Sequence, residues 1–257
     1  MKKFSFAEGI IRRNFYLYIF VRKLAPFICK YIPLEDGFNF LKYIKPNDPK
    51  FVALDIGAND GTSIRMIHKY HPSSVIEAFD PVTKPNFKLS KVNFHDLGMS
   101  NTDGELEIFT PIVKGRIFSQ YSSIYKDKII NQINFDMKID RAQVSLFSKI
   151  IKLKTTDSFK FEPYFIKIDV EGAELMVLKG AEETIKSFAP IILIEIQNNS
   201  IFVEIENYLN DFDYFCVQPG NFLSDIRSLN INEYGFMPAT NNYVWAPRSS
   251  SDSWSIK

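Results

Sequence analysis

Two cysteines and three histidines are too few and too scattered for several kinds of chemistry. Cys29 and Cys216 stand far apart, no C-x-x-C pair occurs, and no Cys/His cluster could hold zinc, so neither a redox pair nor a zinc site is expected. A reducing, cytoplasmic setting fits that usage. Long apolar runs are also missing. The run from Phe15 to Val21 is closed by Arg22 and Lys23 and lacks a small-x-small cleavage site. It therefore reads neither as a signal peptide nor as one of the ~20-residue stretches that span a bilayer. Net charge is nearly absent, with 31 Lys and Arg against 30 Asp and Glu, so no overall field draws the chain to nucleic acid.

What is present is material for a core. With 46% hydrophobic, 24% charged and 15% aromatic residues the chain is globular rather than disordered. Its 257 residues suit one large domain with an extension, read as residues 1–49 followed by a domain over 50–257. Residues 1–33 hold Lys2, Lys3, Arg12, Arg13, Arg22, Lys23 and Lys30 against the single acid Glu8, interleaved with Phe4, Phe6, Phe15, Tyr16 and Phe20. Two readings stand for this helical segment. It lies on an anionic membrane surface at the inner face, or it packs on protein with its charges solvated.

From Lys50 onward short apolar runs alternate with helical periodicity. Strands are expected over 51–56, 74–79, 92–95, 104–110, 149–154, 164–169, 190–196, 214–217 and 243–246. Helical stripes are expected through Ile64, Ile67 and His71, through Leu175, Leu178, Ala181 and Ile185, and through Phe202, Ile205 and Leu209. That alternation predicts an α/β fold, a mostly parallel sheet covered on both faces. Residues 111–147 break the rhythm and read as a long irregular stretch, a substrate lid inserted in the domain.

Three strand ends carry the chemistry. Asp55-Ile56-Gly57-Ala58-Asn59-Asp60-Gly61-Thr62 closes the first strand and opens the first helix. Its glycines permit a tight turn and close approach of a ligand, and the helix start offers N–H groups to an anion. Only two glycines, four apart, stand where a dinucleotide fingerprint needs three. The carboxylate end of S-adenosylmethionine suits this loop better than a pyrophosphate does. Glu77-Ala78-Phe79-Asp80-Pro81 ends the second strand, with Asp80 placed to accept ribose hydroxyls. Lys167-Ile168-Asp169-Val170-Glu171-Gly172-Ala173-Glu174 runs from a buried strand into a helix. There at least one charge must be paired or face the crevice.

These segments resemble the FkbM family of methyltransferases. The resemblance is carried by D-I-G-A-N-D-G at 55–61, A-F-D-P at 78–81, L-K-T-T-D-S at 153–158, I-K-I-D-V-E-G-A-E-L at 166–175, V-L-K-G-A at 177–181 and P-I-I-L-I-E-I at 190–196, within residues 50–247. It implies a Rossmann-like class I methyltransferase fold whose seven-stranded sheet ends in an antiparallel strand. It also implies O-methylation, often of sugars, with S-adenosylmethionine as donor. The cofactor contacts implied are Asp55, Gly57, Asn59, Gly61, Asp80 and Asp96, where Asp80 replaces the family's usual Glu. Ser122, Ser123 and Glu171 are the implied substrate contacts.

Methyl transfer from a sulfonium needs alignment and removal of the alcohol proton. Asp169 is expected as base or substrate orienter, Glu195 as second candidate and His95 as third. A divalent ion on Asp169, Glu171 and Glu195 would polarise a sugar diol, but nothing in the spacing requires one and no metal is assigned. The expected partner is a sugar or glycan acceptor, with no nucleic acid. Peripheral membrane contact through residues 1–33 and self-association stay open. The competing readings are an NAD-type or nucleotide-sugar oxidoreductase on a similar sheet and a catalytically silent membrane-associated scaffold.

Overall fold

The computed structural model describes residues 38–42, 44, 46–85, 89–196, 199–217 and 241–249. The basic segment 1–33 lies outside the described residues. In chain order the elements begin with β1 (Val52–Ile56), α1 (Thr62–Tyr70), β2 (Val75–Phe79), β3 (Val92–His95) and β4 (Gly98–Met99). There follow β5 (Gly104–Val113), β6 (Arg116–Ile117), α2 (Lys126–Met137), β7 (Val144–Lys154) and β8 (Pro163–Ile168). The last described elements are α3 (Glu174–Lys179), α4 (Glu182–Phe188), β9 (Ile191–Glu195), α5 (Asn199–Asn210), β10 (Tyr214–Val217) and β11 (Asn242–Pro247). No described helix is long and apolar enough to cross a membrane.

Among the described residues two compact units emerge, one from 38–104 with 152–249, the other from Glu105–Ile151. The first holds a seven-stranded sheet in the order β10-β11-β9-β8-β1-β2-β3. Its central neighbours run parallel, and β11, the last strand, is antiparallel to both β9 and β10. Parallel strands must be buried on both faces, because their crossovers lay structure over each. Alternate residues accordingly feed two cores. Leu54, Ile56, Ile166, Ile168, Ile192 and Ile194 meet Val177, Leu178 and Ile185 of α3 and α4 and Phe202, Ile205 and Leu209 of α5. Ala53, Ile76, Ala78, Phe165 and Leu193 meet Ile64 and Ile67 of α1 and Phe38, Phe40 and Leu41 of a short 3-10 turn.

The periodicity reads Leu175 to Ile185 as one helix, but the chain makes two, α3 and α4, which part at Gly180. A Cβ there would stand 1.9 Å from the Ser100 carbonyl oxygen, so the helical surface can pass β4 only where no side chain projects.

In the second unit residues 111–147 are not irregular. α2 buries Ile129, Ile133 and Met137, spaced four apart on one face, against Val113, Phe118 and Tyr121. β5 pairs with β6, and Phe109 bridges Ser123. The helical stripe is masked in sequence because Ile130 and Phe135 add apolar residues off that face, Phe135 being 75% exposed.

Candidate active site

The glycine turn and the last residues of β8 form one polar cluster, and the pleat explains why. Asp55 and Lys167 are register partners across the β1–β8 pair, on the same face as Ala53 and Phe165. Both side chains are buried, Asp55 fully. The Lys167 Nζ donates to the Gly57 carbonyl at 2.8 Å, lies 3.5 Å from Asp55 Oδ1 and 3.3 Å from Asp169 Oδ2. Ser63, from the buried face of α1, donates to the other Asp55 oxygen at 2.5 Å. At 3.5 Å the Asp55–Lys167 contact is an ion pair without hydrogen-bond geometry, and Asp55 Oδ1 has no hydrogen-bond partner. Burial pushes the Asp55 carboxyl above its ordinary range against the opposing pull of Lys167 and Ser63.

Asp169 stands just past β8, where its N–H bonds to the Ile56 carbonyl at 3.0 Å. Its side chain is 27% exposed, against 5% for Lys167. The turn beyond is tight, since Glu171 takes φ +58° and Gly172 φ +112°. A left-handed non-glycine residue is strained there, and Gly172 N–H is held by Glu174 Oε1 at 2.9 Å.

Asp80 at the end of β2 is a buried clamp. Its Oδ1 accepts the Val82 and Thr83 N–H groups at 2.8 and 2.7 Å, and Oδ2 accepts the Asn59 N–H at 2.9 Å. A carboxylate has about four acceptor positions, so roughly one remains for a ligand. Burial pushes this carboxyl up, opposed by the three backbone bonds. Asn59, at φ +41°, and Gly61, at φ +80°, shape the turn that delivers the chain to α1. α1 starts without a side-chain cap from Gly61, and Asp60 Oδ1 holds Thr62 N–H at 3.1 Å.

His95 closes β3 with its ring stacked on Phe79 at 4.6 Å and flanked by Phe159 and Phe161. Its Nε2 is 2.7 Å from Glu77 Oε2, and Asn93 Nδ2 donates to Glu77 Oε1 at 2.7 Å. An ionised carboxylate only accepts, so paired with it the Nε2 carries the proton. Glu77 is the residue the sequence reading passed over. The signal was available: Glu77, Asn93 and His95 are polar residues on adjoining strands, in positions that share one face of the pleat.

The remaining candidates are placed as follows. Asp96 is exposed just after β3, and Glu195 is half-buried at the end of β9, opposite Asn242. Ser122 and Ser123 belong to the second unit, where Ser122 Oγ bonds Thr110 Oγ1 at 2.8 Å and Ser123 Oγ accepts the Tyr125 N–H at 3.3 Å. Among the described residues no three Asp, Glu, His or Cys side chains form a group able to hold a metal. A recess of about 380 Å3 lined by Lys186, Phe212 and Asp213 lies beside the amino ends of β9 and β10, at the opposite end of those strands from this chemistry.

Carboxylates at the ends of β2, β3 and β8, those of Asp80, Asp96 and Asp169, beside the glycine turn suit a ligand bearing hydroxyls and an ammonium, whereas Asp55, expected to contact the cofactor, is fully buried against Ser63 and Lys167 and is not presented to one. The residues present thus fit S-adenosylmethionine: Asp80 and Asp96 can accept from the nucleoside, and Asn59 and Gly61 shape the loop beside it.

No curated protein matches the chain. Among solved structures it is similar to a methyltransferase FkbM from Methylobacillus flagellatus, at 17% identity and TM-score 0.48, over 82% of this chain and 48% of that one. It is also similar to a precorrin-6y C5,15-methyltransferase from Geobacter metallireducens, at 12% identity and TM-score 0.38, over 80% of this chain and 83% of that one. A third is the MycE methyltransferase of mycinamycin biosynthesis, solved with Mg and SAH, at 14% identity and TM-score 0.38, over 89% and 48%. The chain thus spans about half the length of the first (48%). The model of the methyltransferase FkbM domain matches residues 55–216, from the glycine turn to β10. With more than half of the chain inside that match, this Rossmann-like α/β protein belongs to the FkbM methyltransferase family, and its methyl donor is S-adenosylmethionine.

Proposed function

We propose that this protein is an O-methyltransferase that acts on a hydroxyl of a sugar or glycan. The observation that carries the reading is Asp169, a part-exposed carboxylate at the end of a central strand, tied to the glycine turn through Lys167. S-adenosylmethionine supplies an electrophilic methyl group on a good leaving group, so covalent help is not needed. The chain's task is to orient an alcohol and take its proton. We assign that task to Asp169; in support, its Oδ2 faces Lys167 at 3.3 Å while its side chain stays part-exposed. Glu195 and His95 are the reserve candidates, and Glu77 already engages one nitrogen of His95. Glu171, Ser122 and Ser123 are proposed as acceptor contacts. The family match favours this reading over an NAD-type oxidoreductase.

The protein is proposed to work in the cytoplasm, with residues 1–33 as a peripheral membrane contact for an acceptor built on a lipid carrier. Sedimentation with anionic liposomes tests that part. Binding should fade with added salt and vanish when the segment is deleted.

The deciding experiment supplies methyl-tritiated S-adenosylmethionine and glycans extracted from cells that lack the gene. Label should enter the glycan fraction, and mass spectrometry should find a methyl ether there. Label confined to protein, lipid or small molecules would overturn the acceptor, and no transfer to any fraction would favour the silent scaffold.

A further inference from the structure

Lys167 is placed where the behaviour of Asp169 depends on it. Its stem is packed within the sheet and its head meets three groups from two strand ends: the Gly57 carbonyl at 2.8 Å, Asp55 at 3.5 Å and Asp169 at 3.3 Å. Asp55 is fully buried and held by Ser63, so it cannot turn away to release the ammonium. Asp169, by contrast, is part-exposed and follows the strand rather than lying in it. A carboxylate in that position could swing toward water, which would solvate it well. A fixed ammonium on its inner side opposes that swing, because a charge-assisted contact in a poorly solvated place is stronger than one in water.

We infer that Lys167 is a positioning residue for methyl transfer: anchored on Gly57 and Asp55, its ammonium holds Asp169 Oδ2 inward and leaves Oδ1 to receive the acceptor hydroxyl. This rests on the proposed role of Asp169. The cluster carries two carboxylates to one ammonium, so with a neutral residue at 167 the two acids would repel, and Asp169, the mobile one, would leave its place. The glycine turn keeps its other bonds in that event. Gly57 and Ala58 N–H go to the Phe79 carbonyl at 2.9 and 3.1 Å, and Asn59 goes to Asp80. Turnover and cofactor affinity should therefore separate.

The test compares the full chain with Lys167→Met, Asp169→Asn and the two together. S-adenosylhomocysteine affinity is measured by calorimetry, and transfer by tritium incorporation into the glycan extract. The lysine ammonium is followed by 15N NMR, which needs no acceptor. Lys167→Met should slow transfer by about tenfold or more while the S-adenosylhomocysteine Kd stays within about threefold, and it should slow nothing further once Asp169 is Asn. The buried Lys167 ammonium signal, identified by its loss in Lys167→Met, should move in Asp169→Asn.

Equal slowing by Lys167→Met in both backgrounds would overturn the inference, as would a loss of affinity that matches the loss of rate. So would an ammonium signal indifferent to Asp169→Asn. Wild-type transfer by Asp169→Asn would sink the role of Asp169 first and this inference with it. If the wild-type chain labels no glycan, the acceptor reading fails and the ammonium signal alone decides. Should Lys167→Met not fold, Asp55→Asn with Lys167→Met removes one charge of each sign and goes through the same measurements.

Discussion

The carbonyl oxygen of Asp169 stands 1.7 Å from the point where a Cβ on Gly57 would begin. The sequence reading gave that glycine to the ligand, as room for close approach. The structure gives the room to the end of β8, whose Asp169 N–H also bonds back to Ile56. Gly57 thus lets the two central strands meet where the candidate base departs.

Gly57→Ala should for that reason fail as a fold before it fails as a binding site. The left-handed φ of +84° costs about 1 to 2 kcal/mol for any L side chain, and the clash with fixed backbone adds roughly 1 to 3 kcal/mol. Urea denaturation should show an unfolding free energy lowered by that combined amount, with the midpoint shifted down accordingly. A variant with a wild-type midpoint but no S-adenosylhomocysteine binding would restore the ligand as the reason for the glycine.

Asp80→Ala tests the clamp. Three backbone N–H groups lose their acceptor together, and part-buried donors left unpaired cost about 1 to 3 kcal/mol each before water or relaxation repairs them. With roughly one acceptor position left for the nucleoside, the direct loss in S-adenosylhomocysteine affinity is that of one hydrogen bond to a charged group, about 1.5 to 3 kcal/mol. A calorimetric loss well beyond that in a folded variant would mean that the carboxylate gives up a backbone bond to accept both ribose hydroxyls.

Most of the sheet was legible because parallel strands buried on both faces leave unbroken apolar runs. The runs at 51–56, 74–79, 164–169 and 190–196 mark the central strands to within one residue, whereas the run at 149–154 finds only the second half of β7. Residues 111–147 were not legible, because α2 builds a local core from a stripe diluted by exposed apolar residues. At the site, the three strand-end motifs did point to one place. What periodicity could not supply was the pairing across strands. That Lys167 faces Asp55, and that Glu77 reaches both Asn93 and His95, depends on register, which no single strand encodes.

Asp157 shows the same limit. It lies in a 3-10 turn, yet its carboxylate accepts the N–H groups of Glu183 and Thr184 at 3.0 and 2.8 Å and the Thr184 hydroxyl at 2.7 Å, capping α4 from a distance in sequence. Its place in the L-K-T-T-D-S segment is therefore accounted for structurally. Asp157→Ala should lower stability by about 1 to 2 kcal/mol and leave S-adenosylhomocysteine affinity unchanged. A variant of normal stability with impaired binding would place Asp157 in the site instead.

The last prediction concerns pH and stability. His71 ends α1 half-buried, its Nε2 bonded to the Leu41 carbonyl at 2.9 Å and its ring edge-on to Phe51 at 5.1 Å. Burial disfavours the charged ring and lowers its pKa from the usual 6.5, although the bond to Leu41 pulls the other way. The folded chain therefore binds fewer protons at this residue than the unfolded chain does. By linkage, stability rises with pH across the window between the lowered folded value and 6.5. The contribution is complete above pH 6.5 and is lost as pH falls through the folded value. Thermal midpoints taken across the acid side of neutrality should climb with pH, and His71→Gln, which keeps a donor for Leu41 but cannot titrate, should flatten that part of the climb. If the variant and the wild type gave parallel curves, the pH dependence would lie elsewhere. The buried carboxylates Asp55 and Asp80, whose raised values act with the opposite sign, would not supply it.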